Sequence, residues 1–333
     1  MQQIVKCEVL WTRTCPINCS YCSMADGRVN TQSLEFWKKG IDNLKALGAS
    51  FMAFCGAECL TDFEKLPDTV GYAESQGINT TVITSGLVPD FKEKLKILYH
   101  RGATSLTMSY DMVALDKSSA AKSNKALEGL QFFQSLGANV RDTAVIATLT
   151  RTNFRELPNT IRKMSDLGIW TFFDFIHADR GQPGSKVKTT DLGLMFKPED
   201  YEELDYIMNL VLQMKEEGYL CHSSKHFLGM ISANDHEVIR EYNWHCAKED
   251  NFPAWVTADC DGRVYCCDDY QVRDGVKNFY LDKLYEEFQE FSDYWRGLSL
   301  FDCSGCFWNH HIDAHQVKYG NLKISDYVHG ACK

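Results

Sequence analysis

EVLWTRTCPINCSYC, residues 8–22, is the stretch on which the reading of the chain turns. Its first half, Glu8 to Arg13, is short, apolar and β-preferring, and reads as a strand. Its second half places Cys15, Cys19 and Cys22 in a C-x3-C-x2-C spacing directly beyond that strand. Three thiolates this close suit three corners of a [4Fe-4S] cubane and leave the fourth iron without a protein ligand, whereas electron-transfer clusters normally take four. The alternative is structural zinc, which wants a fourth ligand, and the nearest histidine in sequence is distant.

Outward from this stretch, short apolar runs alternate with amphipathic helical ones, the pattern of parallel βα units. Further strands are expected at 50–55, 80–85, 105–109, 139–149 and 170–176. Thr31 or Ser33 is placed to cap the first helix, Thr61 the second, and Asn153 one that reaches Gly168. The expected fold is α/β: six units in an open, partial (β/α)6 barrel of the TIM type, with ligands at the C-terminal ends of the strands. Residues 179–197 read as a loop over the mouth, and Pro198 opens an acidic-fronted helix. Beyond it come a short strand, YLCHSS (219–224), and a hairpin turning at Asp261-Gly262. The division expected is a barrel over 1–217 and a small, metal-stapled C-terminal unit over 218–333.

Of 333 residues, 45 are acidic and 35 basic, and no basic block interleaved with aromatics appears, so nucleic acid is not an expected partner. No apolar run approaches a bilayer span and no signal peptide is recognisable, so neither a membrane nor secretion is expected, and the expected location is the cytoplasm. The 14 cysteines then read as metal ligands or thiols rather than disulfides, and they fall in an early and a late group.

CPINCSYC, with Tyr21 before the third cysteine, resembles the signature of the radical S-adenosylmethionine (SAM) enzymes, and the resemblance extends across the barrel. FCGAECL at the second strand resembles that family's glycine-glycine-glutamate-proline motif, with Ala57 for a glycine and Cys59 for the proline. It implies that Gly56, Ala57 and Glu58 face the methionine amine of SAM. ITSG resembles the threonine-asparagine-glycine turn with Ser85 in the asparagine position, and MSYD a serine-x-aspartate strand end, implying that Ser109 and Asp111 meet the SAM carboxylate or ribose. Ser85 and Ser109 read equally well as helix caps.

Cys246, Cys267, Cys303 and Cys306 form a four-thiolate set, with Cys260 and Cys266 as rivals of Cys267. Their arrangement resembles the shortened auxiliary-cluster domain, called twitch, of many radical SAM enzymes. That implies a second, fully ligated [4Fe-4S] cluster; zinc on the same cysteines remains the alternative.

The resemblance implies reductive cleavage of SAM to a 5′-deoxyadenosyl radical, fed by a reducing partner such as flavodoxin or ferredoxin, and removal of a substrate hydrogen. The outcome is dehydrogenation, or epimerisation if a thiol returns hydrogen. Cys221 is the leading donor candidate, ahead of Cys55 and Cys59, although buried cysteines usually serve as small hydrophobes. The chain starts almost at its first strand, which favours a sugar, aminocyclitol or similar small polar substrate over a peptide; a peptide-modifying maturase and a non-catalytic electron carrier are the alternatives. His177, Asp179 and Arg180 are expected at the mouth, and His310, His311 and His315 beside the second cluster or in an exposed tail.

Overall fold

A computed structural model describes residues 4–17, 19, 21–22, 24–113, 117–139, 142–176, 193–232, 244–249, 252–266, 276–302 and 309–322. Six βα units unfold in order. The strands are β1 (Lys6–Thr12), β2 (Phe51–Gly56), β3 (Asn79–Thr84), β4 (Ser105–Ser109), β5 (Thr143–Leu149) and β6 (Trp170–Phe175). The helices are α1 (Leu34–Ala46), α2 (Leu66–Ser75), α3 (Phe91–His100), α4 (Lys117–Ser135), α5 (Leu157–Asp166) and α6 (Tyr201–Glu216). All six strands pair in parallel with their sequence neighbours. Being covered on both faces, they read as nearly continuous apolar runs, which is why they were visible in sequence.

Local chemistry sets the element ends. Ser33 accepts a hydrogen bond from the Phe36 amide at 3.1 Å and starts α1. Thr61 does not start α2: it ends a 3-10 turn over Cys59–Thr61, and α2 begins at Leu66 with Pro67 in its first turn. Pro198 opens a 3-10 turn that leads into α6.

After α7 (Lys225–Ser232) the hairpin β7 (Trp255–Asp259) and β8 (Val264–Tyr265) turns at Gly262, as expected. Its place is new. β7 pairs in parallel with β1, from Lys6↔Trp255 to Leu10↔Asp259, so the eight strands run β6-β5-β4-β3-β2-β1-β7-β8 in one sheet. The hairpin therefore extends the barrel sheet across the boundary expected at 217/218. YLCHSS forms no strand; it contributes a single bridge between Cys221 and Thr171.

Helices α8 (Leu284–Asp302) and α9 (Asn309–Lys318) follow. Ile312 of α9 packs with α6 and α7 residues, while Ala314 and Val317 pack with Val5, Phe51 and Trp255, so α9 bridges two core clusters. The largest cluster among the described residues packs the outer side of the strands against the helices, around Trp11, Trp37, Phe54 and Trp295. Each such side chain contributes roughly 1.5–3 kcal/mol by burial. No described helix is long and apolar enough to cross a membrane.

Candidate active site

Alternation along β1 sends Cys7, Val9 and Trp11 into the outer core and Lys6 and Glu8 into the barrel. There they line a cavity of about 1540 Å³, its open mouth included, at the C-terminal side of the sheet. Cys15, Cys19 and Cys22 lie together on its wall with Gly56, Ala57 and Ser85. Ser109 and Asp111 join them from the end of β4.

The loop carrying the cysteines is closed at its base. Arg13 N–H donates to the Arg28 carbonyl at 2.8 Å, and the Asp26 and Gly27 amides donate back to the Arg13 carbonyl at 3.1 and 3.0 Å. Asp259, fully buried at the end of β7, then clamps both ends. Arg13 Nε and Nη2 donate to its carboxylate at 3.0 and 3.3 Å, and Arg28 Nη1 at 2.9 Å. Burial pushes the Asp259 carboxyl up, but Arg13, then Arg28, hold it below the usual carboxylate range.

The donor set fits a polynuclear cluster. Burial pushes the Cys15 thiol up to about 11, and Glu58, Cys22 and Cys19 add to that, so the thiols stand close enough to feel one another. Yet among the described residues no three Cys, His, Asp or Glu side chains converge as a single ion would require. Three neighbouring thiols on one wall are a donor set that three corners of a cubane can use.

At the second strand end Gly56 has φ +113°, and a Cβ there would stand 2.4 Å from the Thr12 carbonyl oxygen. Glycine is required because β1 and β2 approach this closely. Ala57 donates its N–H to the same oxygen at 2.9 Å and is not among the residues with positive φ, so its methyl is tolerated.

Glu58 is not on the cavity wall. It is 2% exposed, and its carboxylate accepts from Thr84 Oγ1 and Ser85 Oγ at 2.5 Å, Ser85 N at 2.8 Å and Leu60 N at 3.2 Å. Four donors fill its acceptor directions. Glu58 thus fixes the turn after β3, and Thr84 and Ser85 are what that turn presents to the cavity.

Asp111 is tied to the cysteine loop: Tyr21 Oη donates to both its oxygens at 3.0 Å, and Lys122 Nζ stands 2.6 Å away with its side chain 7% exposed. Burial, then the Asp111 charge, pushes the Tyr21 phenol far above its usual value. Lys122, in the first turns of α4, escaped the sequence reading. The run KSSAAKSNK reads as a solvated helix start, and its one signal was its place after the fourth strand.

Cys221 is fully buried among α6 and α7 residues and bridges Thr171 at the start of β6. Thr171 is three residues, roughly 10 Å of strand, from cavity-lining Asp174, and toward the opposite end of the sheet. Among the described residues Cys221 is therefore not on the cavity wall. Cys59 is also buried, its thiol donating to the Ile83 carbonyl at 3.1 Å. Cys55 does line the cavity and donates to Glu8 Oε1 at 3.0 Å.

Of the late cysteines, Cys246 lies near Cys266: burial pushes the Cys266 thiol well up and the Cys246 charge adds to it. Cys260 lies apart, beside Asp259 and the Arg28 charge. Cys267, Cys303 and Cys306 fall outside the described residues, as do His177, Asp179 and Arg180 and the side chains of His310 and His311. His315 is buried against the Trp244 ring at 5.3 Å, not in an exposed tail.

Comparisons with known proteins agree with this geometry. The PqqA peptide cyclase of Bradyrhizobium diazoefficiens is 27% identical over 164 residues, which is 47% of this chain and 42% of that relative. The chain thus matches less than half the length of this curated relative. SuiB of Streptococcus suis, solved with S-adenosylmethionine, superposes with a TM-score of 0.65 at 14% identity, over 100% of this chain and 78% of that one. The anSMEcpe structure with bound AdoMet gives 0.60 at 11% identity, over 97% and 87%. Such low identities establish the shared fold and no more. The sequence pattern of the Radical SAM superfamily matches residues 9–191, more than half of the chain, from β1 through β6; the chain belongs to that superfamily.

Proposed function

We propose that this chain is a radical SAM enzyme whose Cys15, Cys19 and Cys22 hold a [4Fe-4S] cluster with one iron left for SAM. The observation that carries this is the meeting of the three thiols with Gly56, Ala57 and Ser85 on one wall at the strand ends. The bound cluster and SAM supply a 5′-deoxyadenosyl radical, which is the chemistry that a hydrogen abstraction needs. The chain's own part is placement. Glu58 holds the Thr84–Ser85 turn, Gly56 lets the β1 and β2 backbones meet, and Lys122 with Asp111 puts a paired cation at the wall for the polar end of SAM.

The substrate we favour is small and polar, a sugar or aminocyclitol, with loss or return of a hydrogen giving dehydrogenation or epimerisation. A peptide substrate is the second reading, favoured by a curated relative named for the PqqA peptide and by SuiB, which has been solved with its precursor peptide. Cys246 with Cys267, Cys303 and Cys306 would hold an auxiliary [4Fe-4S] cluster in a C-terminal unit over 218–333, with Cys266 the stronger rival of Cys267. Electrons would come from a flavodoxin- or ferredoxin-like donor.

The test is anaerobic reconstitution, iron and sulfide analysis, then SAM with dithionite. Expected are about eight irons per chain and 5′-deoxyadenosine that disappears in Cys19→Ser. Zinc without sulfide, or an iron-loaded protein that forms no 5′-deoxyadenosine with any substrate class, would refute the proposal.

A further inference from the structure

Tyr21 lies between Cys19 and Cys22, in a turn closed by the Cys22 amide, which donates to the Cys19 carbonyl at 3.2 Å. Its side chain leaves the cysteine loop and ends in a closed set of three polar contacts. The phenol donates to both Asp111 oxygens at 3.0 Å, Lys122 Nζ donates to the phenol oxygen at 2.5 Å, and the same Nζ stands 2.6 Å from Asp111 Oδ2. The Lys122 ammonium also lies 5.1 Å from the centroid of the Tyr21 ring. Ser123 completes the join: its hydroxyl donates to the Asp111 carbonyl at 2.7 Å and accepts from the Asp111 N–H at 3.1 Å. One residue of the loop is thus fastened both to the end of β4 and to the start of α4.

Tyr21, Asp111 and Lys122 share the cavity wall with the three early cysteines. The Lys122 and Asp111 side chains are 7% and 9% exposed, so salt and water screen them little. Burial, then Asp111, raise the Tyr21 phenol, and the Cys19 and Cys22 charges add to that, so the three contacts lie within electrostatic reach of both thiols. Reducing a [4Fe-4S] cluster by one electron adds one negative charge to it. A nearby ammonium favours the reduced form and a nearby carboxylate the oxidised one. Here the two stand side by side and largely cancel. Removing either leaves the other unbalanced, and the direction of the effect follows from the charge removed, whatever else lines the mouth.

Building on the function proposed above, we infer that Tyr21, Asp111 and Lys122 are positioning residues of the early cluster. Tyr21 straps the cysteine loop to β4 and α4, and the Lys122–Asp111 pair holds a balanced charge that sets how easily the cluster is reduced.

The experiment is a dithionite titration of the anaerobically reconstituted full chain, read by electron paramagnetic resonance in the absence of SAM. It is run at about pH 8, where an unpaired carboxylate stays ionised. The early cluster is identified by the change that SAM, added afterwards, makes to its signal. Asp111→Asn is expected to ease reduction about tenfold and Lys122→Gln to hinder it about tenfold, about 59 mV each for a one-electron couple. The double variant and Lys122→Arg, which restore the balance of charge, should stay within about twofold of wild type. Tyr21→Phe keeps both charges and should keep the potential, but should release iron to a chelator about tenfold faster; it also stands in if the neutral single variants fail to fold. Shifts in the same direction for Asp111→Asn and Lys122→Gln, which a loosened wall alone would give, overturn the inference. So do shifts under about twofold in both, or iron release from Tyr21→Phe at the wild-type rate. With a reducible, SAM-responsive cluster in wild type, those results leave the proposed function standing; absence of such a cluster strikes that function instead.

Discussion

Replacing Asp259 with Asn removes the charge that holds both ends of the cysteine loop. The Arg13 side chain is 5% and that of Asp259 0% exposed, so this pair is unscreened, whereas Arg28 is 34% exposed and its contact is worth under about 1 kcal/mol. Stripping one partner from a buried ion pair costs about 3–5 kcal/mol, because the other charge is left buried. Asn keeps an acceptor for one Arg13 N–H, which places Asp259→Asn near 3 kcal/mol and Asp259→Ala near 5 kcal/mol, both as rough figures. At about 2–4 °C per kcal/mol, Asp259→Asn lowers Tm by roughly 6–12 °C. Anaerobic calorimetry of the reconstituted protein reads this, with Arg28→Ala as the mild comparator. The folded carboxyl lies below its ordinary value of 3.8, so its contribution is complete above that pH and is lost as pH falls below it. The gap between wild type and Asp259→Asn should therefore be flat from about pH 5 to 8. A Tm within about 1 °C of wild type, or an Arg28→Ala defect as large as that of Asp259→Asn, would refute the clamp.

Gly56→Ala forces a Cβ to 2.4 Å from the Thr12 carbonyl at φ +113°, and should cost about 2–3 kcal/mol in chemical denaturation and abolish 5′-deoxyadenosine formation, whereas Ala57→Gly should cost under about 1 kcal/mol. Lys122→Gln and Asp111→Asn each strand a buried partner and should each cost about 3 kcal/mol; the double variant should recover about 1–3 kcal/mol of the sum, as a double-mutant cycle will read. Asp313 is pushed up to about 7, chiefly by burial, so the folded state binds the extra proton and stability falls as pH rises from 3.8 through 7. Asp313→Asn should accordingly gain Tm relative to wild type as pH is raised from about 5 to 8, and a pH-independent difference would contradict that.

The six βα units were readable because strands covered on both faces must be apolar and the helices between them amphipathic, and both signals are local. The pairing of β7 with β1 joins residues about 250 positions apart. Nothing in the hairpin's own sequence names its neighbour, so it was read as part of a separate unit. Motif resemblance brought Glu58 to the correct strand end but could not orient it, because the donors that turn it inward, Thr84 and Ser85, come from the next strand. Cys221 sits away from the early cysteines for a topological reason. α6 runs back from the mouth after β6, so the segment that follows it arrives at the N-terminal end of the sheet, beside Thr171 and away from the cysteines. Lys122 was invisible because only the folded neighbours, Asp111 and Tyr21, distinguish it from the other lysines at the start of α4.

The Asp259 clamp also bears on how two cysteine groups would work together. β1 ends in the loop that carries Cys15, Cys19 and Cys22, and β7, hydrogen-bonded to β1 along five register pairs, ends one residue before Cys260 and leads through β8 to Cys266. Asp259 joins the two strand ends through Arg13 and Arg28. The strand that leads to the early cysteines and the hairpin that leads to Cys266 are thus cross-braced within one sheet. Loosening the clamp should free the base of the early cysteine loop and the hairpin together, because Arg13, Arg28 and Asp259 hold both strand ends and none of them is among the thiols proposed to bind iron.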